Sequence, residues 1–150
     1  MRFSHRFRVR APLDRVADFH RRASALHAIT PPLMFMRVHH APAELQEGDV
    51  MDFSMWLGPI PVRWVARIEQ VTEKSFVDRQ VQGPFKAWAH THSFIPVDDS
   101  VTEVRDEIEA ELSDGVFGRL RSLVMWLGLP VLFAYRAWKT RRVLEAGRKR

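Results

Sequence analysis

The chain has 150 residues, 46% of them hydrophobic, with ten Phe and five Trp; this is enough to bury the core of one domain and too apolar for a disordered chain. Its formal net charge of +5 is uneven: residues 1–10 hold four Arg, residues 136–150 hold seven Lys or Arg against one Glu, and the stretch between is net −5. Basicity confined to the two ends argues against a nucleic-acid partner for the body of the protein, and the absence of cysteine excludes disulfides, thiolate metal sites and a cysteine nucleophile.

Residues 2–10 alternate, with Phe3, His5, Phe7 and Val9 on one face and mostly arginines on the other, which predicts a half-buried strand rather than the apolar run of an export signal. A cytoplasmic location is therefore expected. Ala11-Pro12-Leu13-Asp14 ends the strand and starts a helix carrying Val16, Phe19, His20 and Ala23 at helical spacing, with a second short turn over 24–28. Thr30-Pro31-Pro32 stops it, because proline lacks the N–H and restrains the residue before it.

From residue 33 to 112 the period is two. Strands are predicted over 34–40, 49–57, 61–71, 75–81, 86–96 and 101–112, with turn signals such as Glu47-Gly48, Gly58-Pro59 and Gly83-Pro84 between them. Short connections make neighbouring strands antiparallel. Beyond Ser113-Asp114-Gly115 the pattern is helical over 116–146, with Leu120, Val124, Leu127, Val131, Ala134 and Trp138 as an apolar stripe. Its densest part, Ser122 to Tyr135, is apolar on every side but shorter than the roughly 20 residues a bilayer span needs, and it contains Gly128 and Pro130. The expected architecture is α+β: seven curved antiparallel strands in the order β-α-α-β6-α, one face covered by the long C-terminal helix. Residues 1–150 are read as a single domain, with 141–150 as a basic C-terminal tail.

Several stretches carry a resemblance. Phe7-x-Val9-x-Ala11-Pro12-Leu13-x-x-Val16-x-x-Phe19-His20, the Leu26 to Pro32 segment, Glu47-Gly48, Asp78-x-Gln80-x-x-Gly83-Pro84-Phe85-x-x-Trp88-x-His90-x-His92-x-Phe94 and Phe133-x-Tyr135-Arg136 resemble the bacterial polyketide cyclase/dehydrase-like branch of the START-like, or SRPBCC, superfamily. The resemblance covers nearly the whole chain and implies the helix-grip fold, with a cavity between sheet and helix for a hydrophobic small molecule. It implies no particular reaction, and neither a cofactor nor a metal is expected from it.

Strand alternation separates inward from outward side chains. Glu103, Arg105, Glu107, Glu109 and Glu111 mark the solvent face of the last strand, which leaves Val104, Asp106, Ile108, Ala110 and Leu112 inward. Over 86–96, burying two aromatics at about 25 cal/mol per Å² outweighs burying small residues, so Trp88, His90, His92 and Phe94 face in. Short hairpins would set Asp78 opposite His90, Gln80 opposite Trp88, His90 opposite Asp106 and Phe94 opposite Thr102, a lateral row of Asp78, His90 and Asp106.

Three roles are open to this row: a self-satisfied polar brace, a polar end to an apolar pocket, or general acid/base chemistry by His90 or His92 with Asp78 or Asp106 fixing the tautomer. A metal would need Asp78 or Asp106 as third ligand. The expected pocket walls are Met51, Phe53, Met55, Trp64, Trp88, Phe94 and Ile108 from the sheet and Leu120, Val124 and Leu127 from the helix. Asp78, Gln80, His90, His92 and Asp106 are the expected polar contacts. The favoured function is binding, or transport, of a lipid-, isoprenoid- or polyketide-like molecule. Two alternatives stand beside it: a cyclase or dehydratase using an inward histidine, and a module contacting a membrane or protein partner through the C-terminal helix and its basic end.

Overall fold

The structure, a computed structural model, describes residues 1–146. Its elements are β1 (Arg2–Val9), α1 (Leu13–Arg21), α2 (Ala23–Ala28), β2 (Met36–His40), β3 (Val50–Leu57), β4 (Ile60–Glu69), β5 (Ser75–Gln82), β6 (Phe85–Asp98), β7 (Val101–Leu112) and α3 (Val116–Glu145). The strands form one antiparallel sheet in the order β1-β7-β6-β5-β4-β3-β2. This is the helix-grip arrangement, with the chain's first strand added beside its last.

Local chemistry accounts for the element ends. Pro12 occupies the N-cap of α1 with Asp14 in the first turn, and Arg21 falls in the last turn, a charge order that suits the helix dipole. Between β3 and β4 the chain turns in two residues. Gly58 has φ of +58°, a conformation that costs a residue with a Cβ, and Pro59 follows before Ile60 pairs with Leu57.

The inner face carries the core. Met51 and Phe53 of β3, Val62, Trp64, Ala66 and Ile68 of β4, Phe76 of β5, Trp88 and Phe94 of β6, and Val104, Ile108 and Ala110 of β7 are all buried. Outward charges pair across strands instead, as in Arg63 with Asp52 at 2.7 Å, Arg79 with Glu69 at 2.8 Å and Arg2 with Glu109 at 2.6 Å. Each such exposed pair contributes little to stability.

The face of α3 differs from the expected one. Ser122, Leu129, Phe133, Ala137, Thr140 and Leu144 are buried, whereas Leu120, Val124, Leu127, Val131 and Trp138 are exposed. An apolar stripe identifies a buried face only when the opposite face is polar, and here both are apolar. By length and composition α3 could cross a membrane, but its Leu129, Phe133 and Ala137 side covers the sheet. The helix runs unbroken through Pro130, which lies on the exposed side. It also continues through Arg141 and Arg142 to Glu145, so the first half of the expected basic tail is helical. The remainder, 147–150, lies outside the described residues.

Register differs in one hairpin. Across β5 and β6, Asp78 pairs with His90 as expected, and Phe76 with His92. Across β6 and β7 the pairs are His90 with Ile108, His92 with Asp106 and Phe94 with Val104, two residues away from the expected His90–Asp106 and Phe94–Thr102 pairs. The tighter turn, which pairs Asp98 with Val101, sets the offset, and the irregularity at Pro96/Asp98 takes up one residue of it. A shift of two keeps every side chain on its own face.

Candidate functional site

Between the inner face and α3 lies a cavity of about 210 Å³. Met51, Phe53 and Met55 of β3, Trp64 of β4, and Trp88, His90 and His92 of β6 line it, with Asp78 of β5 and Val124 of α3. Val124 and Gly128 are exposed as well as lining, so the cavity reaches the surface beside the first half of α3.

The other expected contacts sit elsewhere. Leu120 and Leu127 are on the outer side of α3. Phe94 and Ile108 are buried in the core, and neither lines the cavity. Gln80 turns back on its own hairpin, donating to the Phe85 carbonyl at 2.7 Å and accepting from the Phe85 N–H at 3.2 Å, so it does not face Trp88 across the strands. Asp106 stands behind the histidines, outside the lining.

The polar end is built on β5, β6 and β7. His90 Nε2 donates to Asp106 Oδ1 at 2.9 Å, and His92 Nδ1 lies 3.3 Å from the same oxygen without the alignment of a hydrogen bond. The two imidazole centroids are 3.8 Å apart. Phe76 stacks on His92 at 4.3 Å and Phe133 meets His90 edge-on at 5.4 Å, so both rings are clamped. Burial would raise the Asp106 carboxyl, but the hydrogen bond from His90 and the closeness of the His92 imidazole hold it well below the usual carboxylate range. Burial pushes His90 and His92 below the ordinary imidazole value, in His92 with help from the neighbouring His90.

Asp78 is in a different state. Its Oδ1 is buried without a hydrogen-bond partner, and burial raises its pKa against the opposing pull of His92 and Arg136. The row is therefore satisfied on the Asp106 side and unsatisfied on the cavity side. Trp88 Nε1 and Arg136 Nε are likewise buried without partners, and both residues line the cavity.

Arg136 and His20 are lining residues that the strand reading left out. Arg136 comes from α3 and carries its guanidinium over the Phe133 ring at 5.2 Å; burial pulls its pKa down. The available signal is its spacing of seven from Leu129 and three from Phe133, which places it on the buried face. His20 reaches in from α1, with Nδ1 donating to the Val16 carbonyl at 2.8 Å, and burial lowers it to about 4.

No protein-family model and no curated protein matches the chain. Solved structures do. An aromatase/cyclase from a Streptomyces species is 17% identical over 98% of each chain, with a TM-score of 0.70. A point mutant of norcoclaurine synthase from Thalictrum flavum, solved with a transition-state analogue, is 12% identical over 99% of this chain and 96% of its own, at 0.73. A START superfamily protein from Mycobacterium smegmatis is 10% identical over 97% of each chain, at 0.65. All three cover essentially the whole chain, and at these identities they speak to its fold.

Proposed function

With the helix-grip fold of the START-like superfamily as premise, we propose that this protein binds a hydrophobic or amphipathic small molecule in the cavity between its sheet and α3. The observation that carries the reading is the pairing of apolar walls with unpartnered polar atoms of Asp78, Trp88 and Arg136 at one end. A buried polar atom without a partner costs roughly 1–3 kcal/mol, and a ligand that supplies both a donor and an acceptor recovers that cost. Trp88 and Arg136 offer N–H donors, while Asp78 offers a carboxyl, so the matching ligand end carries a hydroxyl beside a carbonyl or carboxylate. An aromatase/cyclase and a norcoclaurine synthase, the latter solved with a transition-state analogue, share the fold, which supports a small-molecule ligand and leaves the reaction open. A cytoplasmic location, expected from the sequence, belongs to this reading.

The test is displacement of an apolar fluorescent probe and native mass spectrometry of what co-purifies. Saturable probe binding that Trp64→Ala or Arg136→Ala weakens is the expected result, with folding checked by circular dichroism. Equal binding in wild type and both variants would refute the assignment of the cavity.

A second reading, contact with an anionic membrane surface, rests on the outer side of α3. Phe117 is 88%, Leu127 68% and Val131 75% exposed, and Leu33 near the cavity is fully exposed at 99%. Exposed apolar side chains in such a row mark an interaction surface. Arg119, Arg121 and Arg142 are exposed on the same helix, which has no Asp or Glu before Glu145. That combination suits anionic headgroups. Flotation with phosphatidylserine-containing vesicles, lost in a Leu127→Glu/Val131→Glu double variant, is expected. No association at low salt would end this reading.

A further inference from the structure

We infer that Asp78, His90 and His92 form a three-point site for a divalent transition-metal ion at the floor of the cavity. One ligand atom from each residue lies within 4.8 Å of the others. The set comes from two paired strands, with Asp78 directly opposite His90 and His92 two residues along the same face. Two imidazoles and a carboxylate with space in front of them are a donor set suited to zinc or ferrous iron, and the cavity supplies the open coordination position.

Two observations point to a ligand at this position. The first is the buried Asp78 Oδ1, which has no hydrogen-bond partner. A buried carboxylate requires a cation or hydrogen-bond donors, and the polar brace across the sheet does not serve Asp78. The second is Asp106. It accepts from His90 Nε2, which fixes the tautomer and leaves the His90 lone pair on Nδ1. The second nitrogens of both rings make no hydrogen bond among the described residues. A carboxylate behind a ligating histidine, holding the ring by its far nitrogen, is the usual support of a metal site, and its loss typically weakens affinity 10–100-fold.

Geometry asks for a modest closing movement. Metal bonds of about 2.0–2.2 Å place neighbouring ligand atoms roughly 3.3 Å apart, inside the 4.8 Å limit that already encloses the three ligand atoms. Asp78 can supply the movement because no hydrogen bond restrains the inner oxygen. The clamped rings of His90 and His92 stay in place.

Charge then defines what the occupied site takes. Asp78 and Asp106 balance a divalent ion, and Arg136 leaves one positive charge at the cavity floor. The further ligand of the metal is accordingly anionic or readily ionised: a carboxylate, a phenolate or hydroxide. His20, in the cavity wall, is held neutral by its burial.

The inference goes beyond small-molecule binding and is tested apart from it. Protein stripped with EDTA is titrated with Zn(II) and with Co(II), by calorimetry and by the visible absorption of bound cobalt. One equivalent bound at micromolar or tighter affinity is expected. Asp78→Asn, close in shape to the native residue, should weaken it at least tenfold, His92→Gln at least tenfold, and Asp106→Asn 10–100-fold through loss of the His90 support. His39→Ala, on an exposed residue remote from the cavity, should leave it unchanged. The absence of saturable binding in wild-type protein overturns the inference, as does binding that persists in Asp78→Asn and His92→Gln or disappears in His39→Ala. Probe binding that survives EDTA while metal titration fails would remove the metal site alone. Metal binding without any probe binding would remove the proposed ligand and leave the metal.

Discussion

Acidification should destabilise the protein through His20. The imidazole lies in the cavity wall against Phe94, at 5.1 Å between centroids, with Phe19 beside it and Nδ1 given to the Val16 carbonyl. Burial lowers the folded-state pKa from 6.5 to about 4; the Val16 hydrogen bond and Asp106 oppose this, whereas His92 and Arg136 reinforce it. In the unfolded chain the ring titrates near 6.5. Between those values the unfolded state binds the extra proton, so stability is full above pH 6.5, falls as pH drops and stops falling below about 4. Linkage over pH 7 to 5 gives a loss of about 2 kcal/mol. Water in the cavity would screen the charge, which makes this an upper figure. The perturbation is His20→Gln, whose amide can still donate to Val16. Urea unfolding at pH 7 and pH 5 should show wild type losing up to about 2 kcal/mol more than the variant. His90 and His92 remain in both proteins and cancel in the comparison. Parallel pH profiles for the two proteins would refute the reasoning.

Phe133 packs against Phe3, His90 and Arg136 in the centre of the grip, so Phe133→Ala should cost about 3–5 kcal/mol in urea unfolding. The Ser122 hydroxyl is fully buried, donating toward the Pro84 carbonyl at 2.6 Å and accepting from the Ser113 N–H at 3.1 Å. Ser122→Ala strands that N–H and should cost about 1–3 kcal/mol, visible as a lowered denaturant midpoint at unchanged slope. Gln80→Ala removes both bonds to Phe85 and should raise hydrogen exchange at the β5–β6 turn, with a stability loss of about 1–3 kcal/mol. Leu127→Glu, on the exposed face of α3, should change stability by less than about 0.5 kcal/mol while raising solubility.

Strand alternation carried most of the fold. The glutamates at 103, 107, 109 and 111 make only one face of β7 compatible with burial, and that in turn assigns Asp106 and its neighbours inward. What alternation lacks is sensitivity to a shift of two. The tight turn that pairs Asp98 with Val101, less one residue taken up at the Pro96/Asp98 irregularity, set Asp106 opposite His92 instead of His90 without altering either face, and the His90–Asp106 hydrogen bond formed on the diagonal. Helix α3 defeated the stripe argument for a different reason. Residues apolar on all sides leave the choice of buried face to tertiary packing, which buries Ser122, Leu129, Phe133 and Ala137 and leaves Leu120 and Leu127 outside. His20 and Arg136 meet the strand residues only through tertiary packing, and a period confined to each element does not report that meeting.

The sheet's order has a consequence for synthesis. Among the described strands β1 pairs with β7 alone, with Phe7 against Val104 and Phe3 against Ile108. At about 5–20 residues per second, the first strand leaves the ribosome roughly 5 to 20 s before its partner exists. During that interval Phe3, Phe7 and Val9 have an open backbone edge on either side. The arginines at 2, 6, 8 and 10, which place four positive charges on a ten-residue segment, act then as gatekeepers: they keep nascent chains from pairing with one another through β1 until β7 arrives to close the sheet.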